Sequence, residues 1–97
     1  MISNVGTQSA AAQKNNSCEM SKMVQYAKSI VDKAVAEEKA GDLELAVQYY
    51  LKAADILIII ANNTDNYNDW NTYSGYASNY HHKVSQLLQQ IHRAKQS

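Results

Sequence analysis

The chain has 97 residues with nine basic and nine acidic side chains, a formal net charge of zero, no Pro, three Gly and one Cys. That length sustains one core, burying roughly 60–70% of the surface the unfolded chain exposes, while the balanced, scattered charge excludes the basic footprint that holds a nucleic-acid backbone and the lone Cys18 excludes an internal disulfide and suits a reducing compartment. No apolar stretch at the N-terminus resembles a signal peptide, and the most apolar run, 56–61, is far shorter than the about 20 residues of a membrane span, so a soluble protein is expected.

Residues 1–16 are rich in Ser, Ala, Gln and Asn with little to bury and are expected to form a disordered leader. Asn16 followed three residues later by Glu19 has the form of a capping box and predicts a first helix over about 17–40. Met20, Met23, Ala27, Ile30 and Ala34 recur at steps of three and four along one face, with Val24, Val31 and Val35 as a second stripe beside them. At Gly41-Asp42 a residue suited to a left-handed conformation is followed by a helix-capping side chain, the signature of a tight turn between antiparallel helices. The second helix is expected over 43–61, with Leu43, Ala46, Tyr50, Ala53, Leu57 and Ile60 as its core stripe. Leu45, Tyr49, Ile56 and Ile59 make it apolar nearly all round, so it must be covered on more than one side.

A polar loop over 62–68 leads to a third helix over about 68–95, capped by Asn66 or Asn68 and carrying Asp69 in its first turn. Trp70, Tyr73, Ala77, Tyr80, Val84, Leu87 and Ile91 then alternate steps of three and four, the seam of a helix packed along others at a shallow angle. The fold class expected is all-α, a three-helix antiparallel bundle formed by residues 17–97.

No catalytic or metal constellation can be assembled. His81 and His82 point about 100° apart, and His92 lies about 16 Å further along the helix, so the three do not converge on one ion. Glu37, Glu38, Asp65 and Asp69 occupy helix-end and loop positions where solvated carboxylates are ordinary, and no nucleophile, base and orienter come together. The domain is expected to be non-catalytic and to need no cofactor. The apolar surplus is more telling, because three amphipathic helices need one buried stripe each. The Val stripe of the first helix and Ile56 and Ile59 of the second exceed that. Such strips either lie beneath the third helix or line a groove that accepts a peptide.

Ile30-Val31 through Lys33-Ala34-Val35, then Glu38-Lys39-Ala40-Gly41-Asp42-Leu43, Ala46-Val47, Tyr50, Ala53 and Leu57, with Tyr80 and Leu87 in weaker register, resemble a MIT (microtubule-interacting and trafficking) domain over about residues 20–95. A tetratricopeptide hairpin shares part of that spacing, but such arrays repeat every 34 residues, and the third helix here does not repeat the first. The resemblance implies a monomeric three-helix module that binds short C-terminal tails of ESCRT-III-type subunits. Such a module belongs to a host such as a Vps4-like AAA ATPase or a calpain-7-like protease, cytoplasmic and brought to endosomal membranes through its partners. A tetratricopeptide-like or self-associating helical scaffold is the alternative.

The resemblance also implies two grooves. Between helices one and three, an extended tail would meet Val24, Val31, Val35, Tyr76 and Lys83. Between helices two and three, a helical tail would meet Ile56, Ile59, His81, Ser85 and Leu88. His81 falls where the family places an apolar contact and Ser85 where it places an acid, which weakens the second groove and predicts that the first dominates.

Overall fold

The computed structural model describes residues 20–96 in full and, N-terminal to them, only the course of the helix that they continue. Its three helices are α1 (Ile2–Ala40), α2 (Leu43–Asn62) and α3 (Tyr67–Gln96). The leader expected over 1–16, the capping box at Asn16 and Glu19, and Cys18 lie outside the fully described residues.

The turn between α1 and α2 is built by backbone groups that the helices leave over. Gly41 adopts φ +91°, which L side chains rarely tolerate. Its N–H donates to Glu38 O at 3.1 Å and the Asp42 N–H to Glu37 O at 2.9 Å, the paired bonds of a Schellman close. Asp42 Oδ1 then accepts from the Leu45 N–H at 3.2 Å and caps α2. At the other end of α2, Asn63 Nδ2 donates back to Ile59 O at 2.8 Å. Asn66, one of the two caps expected, starts α3 by accepting from the Asn68 and Asp69 N–H groups at 2.8 and 3.2 Å.

Two tight turns make α1 antiparallel to α2 and α2 antiparallel to α3, so α1 and α3 run parallel. The central helix packs on both neighbours, whereas no Cα atom of α1 comes within 8 Å of one in α3 among the described residues. Side-chain size explains this. Ala46, Ala53, Ala54 and Ala61 of α2, Ala27 and Ala34 of α1 and Ala77 of α3 are all buried, and small residues allow backbones to approach. The facing flanks of α1 and α3 carry Val, Lys and Tyr instead.

The core has two halves. Ala34, Ala46, Val47, Tyr50, Val84 and Leu87 fill the half near the Gly41 turn, and Ala27, Ala54, Leu57, Ile60 and Ala77 the other, with Tyr80 packed against both. The expected stripes account for most of these positions. Trp70, the first residue of the expected α3 seam, is instead 42% exposed, because α2 ends at Asn62 and offers nothing further for it to pack upon.

Candidate functional site

The separation of α1 from α3 leaves a groove of about 460 Å³. Ala27 and Leu57 form its buried floor, Val24, Val31, Lys28 and Asp32 its α1 wall, and Tyr73, Tyr76 and Tyr80 its α3 wall. Heptad spacing places these walls in register. Val31 lies seven residues before Glu38, and Tyr76 seven before Lys83. Seven residues return a helix to nearly the same direction. Lys83 Nζ meets Glu38 Oε2 at 2.7 Å, so the Glu38–Lys83 rung closes one end and Val31 and Tyr76 stand as the next rung, two turns away.

That closing rung is reinforced from beneath. The Tyr50 hydroxyl donates to Glu38 Oε1 at 2.9 Å, and the Tyr50 ring stacks on Tyr80 at 5.8 Å between centroids. The hydrogen bond from Lys83 holds the Glu38 carboxyl below its ordinary value against the opposing effect of burial, with the Tyr50 hydroxyl assisting. Burial, then the hydrogen bond to Glu38, pushes the Tyr50 phenol up to about 12. Tyr80 is raised too, first by burial and then by the charges of Tyr76 and Asp32.

Of the residues expected in this groove, Val24, Val31 and Tyr76 line it. Val35 packs against the core half near the turn, and Lys83 is engaged by Glu38. The structure adds Lys28, Asp32, Tyr73 and Tyr80 to the lining of the groove. Lys28 follows Val24 by four residues and Asp32 follows Val31 directly, so the Val stripe itself carried the signal for its flank.

The second expected set is not brought together. His81, Ser85 and Leu88 are exposed on α3. Leu88 stands seven residues before Lys95, whose Nζ lies 3.3 Å from Glu44 Oε1 of α2, so the α2 line across from it runs from Glu44 through Leu51 and Ile58 at steps of seven. Both are exposed apolar residues, at 40% and 36%. Ile59 instead stands seven residues beyond Lys52, and Lys52 Nζ lies 5.6 Å from the Tyr26 ring centroid. Ile59 and its neighbour Ile56 thus take the α1 flank of α2, away from His81.

Among the described residues no three His, Cys, Asp or Glu side chains gather as a metal site, and no helix is long and apolar enough to cross a membrane. What is present is a helical bundle with an apolar, tyrosine-walled groove, the make-up of a protein-interaction module. The model of the MIT (microtubule interacting and transport) domain family matches residues 24–89, and the chain belongs to that family. No curated protein and no solved structure matches it. The matched span begins at Val24 on the groove wall and takes in both ion-paired rungs except Lys95.

Proposed function

We propose that this MIT domain recruits a host protein, a Vps4-like AAA ATPase, to sites of endosomal membrane remodelling by binding the C-terminal tails of ESCRT-III-type subunits. The tail lies extended between α1 and α3, and the domain acts as a cytoplasmic monomer that meets the membrane through its partners alone. The observation that carries this reading is the gap between α1 and α3, floored by Ala27 and Leu57 and walled by Val24, Val31 and Tyr76. A rung at Glu38–Lys83 ends the gap, so an extended chain has a defined track. The other flank of α3 presents His81 and Ser85 among apolar residues, a poorer surface for a leucine-rich helix.

Replacing Val31 by Asp sets a charge among apolar tail contacts, and replacing His81 by Asp alters the opposite flank. We expect Val31→Asp to weaken binding of an ESCRT-III tail peptide at least about tenfold, or about 1.4 kcal/mol, and His81→Asp to change it less than about twofold. Calorimetric titration measures both. Tail-induced NMR shifts confined to α2 and α3, with Val31 and Tyr76 unmoved, would refute the placement.

A further inference from the structure

We infer that the α1/α3 groove reads the order of two opposite charges on its ligand, an extended peptide whose acidic and basic side chains stand two residues apart and engage Lys28 and Asp32. This rests on the groove being the peptide site proposed above. Lys28 and Asp32 both line the groove and both are exposed. Neither makes an ion pair or hydrogen bond among the described residues, although they are four apart on one helix. Lys preceding Asp is the weaker order for such a pair. Asp32 and Tyr80 line the same groove from opposite walls, and the Asp32 charge adds, after burial and Tyr76, to what raises the Tyr80 phenol.

The rest of the groove offers no competing charge. From α3 only tyrosines line it, and at its end Glu38 and Lys83 satisfy each other at 2.7 Å. Selectivity by charge therefore falls to the α1 wall. One helical turn separates Lys28 from Asp32 by about 6 Å along the axis, and alternate residues of an extended chain stand about 6.6–6.8 Å apart on one side. A chain running parallel to α1 matches with acid before base, an antiparallel chain with base before acid. The residues between and around the charged pair turn to the apolar floor, giving an alternation of apolar and charged positions.

The probes are two isomeric peptides with blocked termini, Val-Glu-Val-Lys-Val and Val-Lys-Val-Glu-Val, each flanked by Gly-Ser spacers and titrated against the domain by NMR. We expect one isomer to bind about fivefold tighter, as two exposed ion pairs allow, with shifts at Val31 and Tyr76. In the double variant Lys28→Asp with Asp32→Lys the preference should invert, and in half-molar salt it should collapse. Equal affinities, a preference unchanged in the double variant, or no shift at Val31 and Tyr76 with either isomer at millimolar peptide overturns the inference. Loss of the peptide site as a whole is a separate outcome, seen when Val31→Asp leaves binding of an ESCRT-III tail intact.

Discussion

Tyr50 joins all three helices through one side chain. Its ring is buried at 3% exposure and stacks on Tyr80 of α3, and its hydroxyl reaches Glu38 of α1. Phe at this position keeps the ring and removes only the hydroxyl. Glu38 retains Lys83 at 2.7 Å, so no carboxylate is left unpaired, and the loss is that of one hydrogen bond to a charged acceptor. Tyr50→Phe should therefore cost about 1–2 kcal/mol in urea unfolding, with an unchanged dependence on denaturant. A change of a few tenths would show the bond to be replaced by water in solution.

Among the elements, the hairpin and the loop before α3 were legible in the sequence because their signals are local. Gly41, Asp42 and Asn66 act on backbone groups within five residues. Gly41→Ala would meet nothing within 4 Å, yet the backbone at φ +91° disfavours any Cβ. It should cost about 1–2 kcal/mol, and Asp42→Ala about 1 kcal/mol through the lost cap, both read from thermal unfolding. A cost for Gly41→Ala near zero would mean that the turn relaxes to another form. The flanks of α2 were not legible, since Leu45, Tyr49, Leu51, Ile56 and Ile58 border its core stripe on both sides and Ile59 breaks into the polar face of Glu44, Gln48, Lys52 and Asp55. Only the cross-helix partners of Lys52 and Glu44 sort them, sending Ile59 toward α1 and Leu51 toward α3. Lys28 and Asp32 are not legible for the opposite reason, because charges beside an apolar stripe read as solvated edge until the missing approach of α3 makes that edge a wall.

For the whole molecule, the wide spacing of α1 and α3 concentrates their mutual attachment at Glu38, Lys83 and Tyr50, and that junction titrates at both ends of the pH scale. Glu38 has a folded value below its ordinary 4.5, chiefly through Lys83. The stability it contributes is present above 4.5 and is lost as pH falls through the lower folded value. Tyr50 has a folded value raised from 10.0 to about 12, chiefly by burial. Its contribution is present below 10 and is lost as pH rises from 10 to 12. Unfolding free energy should therefore hold a plateau between these limits as far as the junction is concerned. Glu38→Gln should flatten the acid limb, and Tyr50→Phe should reduce the alkaline limb while leaving the share that belongs to Tyr80, which is also raised. Urea unfolding across pH, with ultraviolet absorbance following tyrosinate formation, measures both limbs. An acid limb of equal slope in Glu38→Gln would place the carboxylate that matters elsewhere. Because Glu38 and Lys83 also end the peptide groove, the acid limb should be accompanied by weaker tail binding before the bundle unfolds, since the track loses the rung that fixes its walls.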